Sequence, residues 1–339
     1  MCHGKADEEC QDDMSNALVA PARRRTAAPP LEFDGDAVVW AAWLYYEERL
    51  TQEDVAERLG VSRATIINLL QEARNRDIVS ISVAPDHLRG VQLARRLCER
   101  HGLSAALVIP GGDPAAASER IGRAGARLLA QGLKPQDVLG VAWGRTVLAL
   151  AQSLPLLSFP TVSVVQIAGS AISTEDFSPE FCTSIIANRI GGRCINLHAP
   201  GIVSRPEVKR MFMAEPTLIK QFDVIRSCTK IVFGIAGLDQ ASLPSRSGYL
   251  TPEIRQTYLD RGAVGVLAGR FIGGDGAPLV GELDDRMIGM TLDEMTRIPE
   301  RICVAGGADK CEAIAAMLKG RYATALVTDF EAAKGLLER

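Results

Sequence analysis

The chain has 339 residues, a formal net charge of −3 and 47% hydrophobic residues, which is length enough for two domains with cores of their own. No apolar run approaches the roughly 18 residues of a membrane span, and the polar, acidic start is no secretory signal. Eight cysteines without a C-x-x-C pair and four histidines at no ligand spacing predict reduced thiols, with no structural metal and no cofactor.

In chain order, residues 1–33, which include RRRTAAPP, are poor in apolar side chains and read as a disordered arm. VVWAAWLYYEERL (residues 38–50) predicts a first helix whose Trp40, Trp43, Leu44 and Tyr46 close a small three-helix core. In TQEDVAERLGVSRATIINLLQEARNRD (residues 51–77), Thr51 is an N-cap with Asp54 three residues on, close to a capping box. Val55, Ala56 and Leu59 form an inward face, and Gly60 stands where that helix must end in a left-handed conformation. Ser62 caps the next helix, in which Ile66, Leu69, Leu70 and Ala73 recur at helical spacing. The opposite face then holds Arg63, Thr65, Asn68, Gln71 and Ile67. This is the layout of a helix-turn-helix, placed within residues 34–84.

Arg can take guanine, and Asn or Gln adenine, in a major groove that admits one helix. The candidate DNA-binding residues are therefore Ser62, Arg63, Thr65, Asn68 and Gln71, with Arg74 and Arg76 where phosphates would pass. IVSISV (residues 78–83) alternates as a half-buried strand does and suggests a winged variant. The region as a whole is not net basic, which argues against non-specific coating of nucleic acid. It fits a dimeric or larger reader of discrete sites in double-stranded DNA.

From residue 85 to the end, short apolar runs alternate with helical patterns: AALVIP, DVLGVAW, TVSVVQIAG, KIVFGIAG, AVGVLAG, RICVAGG and ATALVTD. They predict a doubly wound, mostly parallel α/β domain, with ligands bound beyond the carboxyl ends of the strands. Several runs end in glycine: Gly144, Gly169, Gly237, Gly269, and Gly306 with Gly307. LGVAWGRTVLALAQSL (residues 139–154) is a strand–glycine–helix junction where backbone amides, the Thr146 hydroxyl and Arg145 suit a phosphate. ICVAGGADK repeats that logic, and Lys310 at a helix start opposes the dipole unless an anion sits there. Asp239 and Asp275, after other strands, would accept from sugar hydroxyls.

AAWLYYEERLTQEDVAERLGVSRATI, LGVAWGRTV, VVQIAGS, GRFIGGDG, AGGADK and LVTDFEAAKGLL, in that order, resemble the SorC family of bacterial transcriptional regulators from about Asp36 to Leu337. The resemblance implies an effector domain similar in fold to sugar-phosphate isomerases and glucosamine-phosphate deaminases. It also implies a phosphorylated sugar or related metabolite as effector, and a homo-oligomer, often a tetramer, that holds an operator. It maps a phosphate loop onto Gly144, Arg145 and Thr146, a pocket wall onto Gln166, Gly169 and Asp275, and an opposing lysine onto Lys310. Asn68 stands where relatives often carry Arg, so the operator sequence does not carry over. The Trp-Leu-Tyr-Tyr first helix resembles that of members that control sugar-alcohol catabolism, which implies a polyol or its phosphate as effector. Repression relieved by an inducer is the expected sign of control.

Two other readings compete with a regulator. An isomerase- or deaminase-like enzyme with an appended DNA-binding module needs a carboxylate or His over the sugar. Asp239, Asp275 and Glu282 are present, but no acid–base pair stands out. A protein-interaction module using the helical hairpin would not retain DNA.

Overall fold

Asp36, Thr51 and Ser62 each start a helix by accepting a backbone N–H with the side chain, and these caps lay out the smaller part of the molecule. The computed structural model describes residues 28–81, 85–170, 178–238 and 251–339. It divides into two compact units, Met1–Val83 and Ala84–Arg339. The arm expected over residues 1–33 lies largely outside the described residues, as does Asp239.

In the first unit, α1 (Ala37–Tyr46), α2 (Gln52–Leu59) and α3 (Arg63–Asn75) surround Trp40, Ala41, Leu44, Val55, Ala56, Leu59, Ile66 and Leu70. Thr51 and Asp54 close a full capping box, and Gly60 ends α2 at φ 67°. Trp43 departs from expectation. It is 41% exposed and rests against Phe33, ring centroids 5.4 Å apart. Because α1 is apolar on every side, its sequence carries no stripe to say which face turns inward.

Two further expectations give way here. Arg76, placed by sequence near a phosphate, instead pairs with Asp36 at 2.5 Å and ties the end of α3 to the start of α1. That guanidinium holds the Asp36 carboxyl below its ordinary range. Residues 78–81 form no strand. The N–H groups of Ile78 and Val79 both donate to Ala73, folding the chain back on α3, and Ile81 is 63% exposed. Ser82 and Val83 lie outside the described residues, so no wing is seen among those described.

The second unit is built on seven strands: β1 (Ala105–Ile109), β2 (Val138–Val141), β3 (Ser163–Gln166), β4 (Arg193–Ile195), β5 (Lys230–Phe233), β9 (Glu300–Val304) and β10 (Ala325–Asp329). They lie parallel in the order β1-β10-β9-β5-β2-β3-β4. Successive side chains alternate between faces, so in β10 Leu326 enters one buried cluster while Ala325 and Val327 enter the other. Helices Pro85–His101, Pro216–Arg226, Cys311–Lys319 and Phe330–Glu338 pack on the first face. Helices Ala117–Gly132, Arg145–Ser153 and Pro179–Ile190 pack on the second. The sheet is doubly wound, as the sequence predicts.

AVGVLAG, read as one more strand of this sheet, belongs elsewhere. β7 (Ala263–Leu267) pairs antiparallel with β6 (Ile235–Ala236) and with β8 (Arg270–Gly273) in a separate three-stranded sheet. Gly269 is thus a hairpin turn, formed with Ala268 at φ 82° and 48°. The six cysteines among the described residues are unpaired.

Candidate functional site

On α3, the buried residues Ile66, Leu70 and Ala73 leave Arg63, Ala64, Thr65, Ile67, Asn68, Gln71 and Arg74 exposed. At about 100° per residue, Asn68 and Gln71 lie near the middle of the outward face. Ser62 is engaged in building the helix: its Oγ accepts from Thr65 N at 3.1 Å and lies 2.9 Å from Thr65 Oγ1. Gln71 donates to Asn75. Among the described residues, Arg74 has no acidic partner.

In the larger unit the chain leaves β2 for β3 on one side and later returns to β5 on the other. The switch point therefore lies at the carboxyl ends of β2 and β5, where doubly wound sheets bind ligands. Gly144 follows β2 at φ 129°, ψ 164°, a region open essentially to glycine alone. Gly307 follows β9 at φ 100°, ψ 143°. The helix Arg145–Ser153 and the turn Ala308–Lys310 that start there have no side-chain cap. Their first N–H groups are left for an outside acceptor.

β5 lies between β2 and β9, so these turns stand about 10 Å apart by the strand spacing. Gly234 sits between them: a Cβ there would come 3.6 Å from the Val304 carbonyl and 3.9 Å from Val147. Thr146 is 9% exposed, Arg145 is exposed and Lys310 half-buried. No carboxylate pairs with either cation among the described residues. Burial pushes the Cys182 thiol up to about 12, while the neighbouring Gly144 N–H works in the opposite direction.

Other sequence candidates fall outside this cluster. Gln166 is fully buried with its amide engaged, donating to Ala168 O at 2.7 Å and Ser170 Oγ at 3.3 Å and accepting from Leu197 N at 3.0 Å. It fastens the ends of β3 and β4. Gly169 permits a close backbone approach to Pro200. Asp275 stands at the wrong end of the fold. It caps a turn at Ala277, and the adjoining Gly274 and Gly276 accept from Lys319 and from Tyr322. The nine-residue helix Cys311–Lys319 separates that turn from Gly307 by roughly 13 Å.

Three residues join the cleft without having been singled out. Asp329 ends β10, caps the final helix through Ala332 N and presses against Gly306, where a Cβ would lie 2.4 Å from its Oδ2. Trp143 reaches the hairpin turn, its ring 3.4 Å from where a Cβ on Gly269 would stand. Glu180, two residues before Cys182, has a shielded Oε2 with no hydrogen-bond partner among the described residues. Trp143 lies within LGVAWGRTV and Asp329 within LVTDFEAAKGLL, so the quoted motifs already held the available signal.

Residues 86–338 match the protein family described as "Putative sugar-binding domain". The crystal structure of the full-length sorbitol operon regulator SorC from Klebsiella pneumoniae superposes with a TM-score of 0.71 at 27% identity, covering 88% of this chain and 97% of that one. The chain belongs to the SorC family of transcriptional regulators. Within the family, it is 36% identical to the uncharacterized transcriptional regulator YjhU of Escherichia coli over 90% of this chain and 95% of that protein. It is 30% identical to the deoxyribonucleoside regulator of Bacillus subtilis over 88% and 96%. This SorC-family chain is accordingly a regulator of transcription and not an enzyme, with DNA and a sugar-class effector as partners. No helix among the described residues is long and apolar enough to cross a membrane.

Proposed function

We propose that this SorC-family protein acts in the cytoplasm as a homo-oligomeric repressor of a carbohydrate or polyol catabolic operon, released by a phosphorylated sugar or polyol. The observation that carries the effector class is the pair of uncapped helix starts, at Gly144 and Gly307, beside Arg145 and Lys310. Amides and cations converging on one cleft suit a phosphate, and the Thr146 hydroxyl adds a further donor. Glu180 and Asp329 are the carboxylates we assign to accept from sugar hydroxyls. The names of the relatives, a sorbitol operon regulator and a deoxyribonucleoside regulator, support a carbohydrate effector without fixing which one.

The experiment is a thermal-melt panel of sugar phosphates, polyol phosphates and their unphosphorylated parents. A ligand of the folded state stabilises it by about 2.7 kcal/mol at a hundred times its dissociation constant. Hits confined to phosphorylated compounds, and lost in Lys310→Ala, are the expected result. A free polyol as the sole hit overturns the phosphate assignment.

On the DNA side, Asn68→Ala is expected to weaken binding to the preferred site by about 1–3 kcal/mol while leaving random duplexes unaffected. Arg74→Ala should weaken binding to every duplex alike and lower the salt slope by about one. Fluorescence anisotropy at several salt concentrations separates the two. Equal losses on specific and random DNA in both variants would mean that another face of α3 reads the bases.

A further inference from the structure

We propose that Gln52 is a positioning residue that orients Arg63 toward a guanine in the major groove. The inference rests on the assignment of α3 as the DNA-reading helix and extends it to a residue on α2. Gln52 Oε1 accepts from Arg63 Nε at 3.3 Å, across eleven residues and the turn between the helices. Both backbones are fixed: Gln52 opens α2 inside the Thr51–Asp54 capping box, and Arg63 opens α3 behind the Ser62 cap. A free arginine side chain has many rotamers to lose on binding, so an existing bond at Nε reduces what must be ordered when DNA arrives.

The chemistry of the partner matters. Arg58 and Arg76 in the same unit are neutralised by Glu48 and Asp36. Arg63 is held by a neutral amide, with no ion pair among the described residues, so no paired carboxylate offsets its charge. With Nε engaged, the two terminal nitrogens remain as a parallel pair of donors, the fork that matches O6 and N7 of guanine. Tyr45, Tyr46, Arg49 and Glu53 line the same open groove as Gln52 and Arg63.

The test uses the full-length protein and a duplex selected from a random pool for tight binding. Each guanine of the selected site is replaced in turn by 7-deazaguanine, which lacks the N7 acceptor. The guanine whose replacement weakens wild-type binding roughly tenfold, but does not weaken Arg63→Ala further, is the one Arg63 reads. At that guanine Gln52→Ala should reduce the penalty to less than about twofold, with penalties at other guanines unchanged. The double variant should bind no more weakly than Arg63→Ala, and Gln52→Glu, which retains an acceptor oxygen, should keep the dependence at that guanine while its negative charge weakens binding to every duplex. A full penalty in Gln52→Ala overturns the proposal. So does a loss shared by all duplexes with a smaller salt slope, which would make Gln52 a phosphate contact. Failure of the wild-type protein to select any duplex overturns the DNA reading itself, and is seen before any variant is made.

Discussion

Lys230→Ala is expected to destabilise the sugar-binding unit by about 3–5 kcal/mol, the usual cost of removing one partner from a buried ion pair. Lys230 opens β5 with its side chain 5% exposed, between Glu300 at the start of β9 and Asp137 just before β2, the latter 3.7 Å away. Asp137 also accepts from Thr229 Oγ1 at 2.7 Å and from Lys134 N at 2.8 Å. The cluster ties three neighbouring strands at the end of the sheet opposite the cleft. Removing the ammonium leaves Asp137, 9% exposed, facing Glu300 with no cation between them. Glu300 is 38% exposed and keeps part of its hydration, so the cost falls mainly on Asp137. Urea unfolding of the purified variant measures it. A loss under about 1 kcal/mol would show that water replaces the ammonium at no great cost.

Ile66→Ala is expected to unfold the small unit while leaving the large one folded. Ile66 is fully buried in a core of eight residues, and such truncations cost about 2–5 kcal/mol. Small domains have little stability to lose. Two calorimetric transitions, with only the smaller one lost and DNA binding lost alongside it, are the predicted outcome. A variant that still binds DNA with wild-type affinity would place Ile66 outside the essential core.

Local signals were the legible part of this sequence. Thr51, Asp54, Gly60 and Ser62 act within one helical turn of their own positions, and the structure places each in its expected cap role. The apolar runs also became strands, because buried β-branched segments have few alternatives. What depends on partners far along the chain was not legible. AVGVLAG looks like any parallel strand, yet it pairs with RFIG in a hairpin set apart from the main sheet. Asp275 follows a strand, as a ligand residue should, but that strand runs away from the cleft, and only tertiary structure shows this. Gln166 has the chemistry of a pocket residue but spends its amide on Ala168, Ser170 and Leu197. Asp329 was hidden for the opposite reason, since its carboxylate meets Gly306 only when β9 and β10 lie side by side.

The proposed function requires that a phosphorylated ligand between the Gly144 and Gly307 turns control the hold on DNA. Its most direct test is operator affinity, measured by anisotropy with and without the phosphorylated compound that raises the melting temperature. Coupling between sites typically amounts to about 1–3 kcal/mol, or roughly 5- to 150-fold, and an effector acts only through its preference between conformations. The predicted result is a weakening of operator binding within that range, abolished in Thr146→Val and Lys310→Ala. A ligand that stabilises the protein but leaves operator affinity unchanged, or acts equally on both variants, would contradict it.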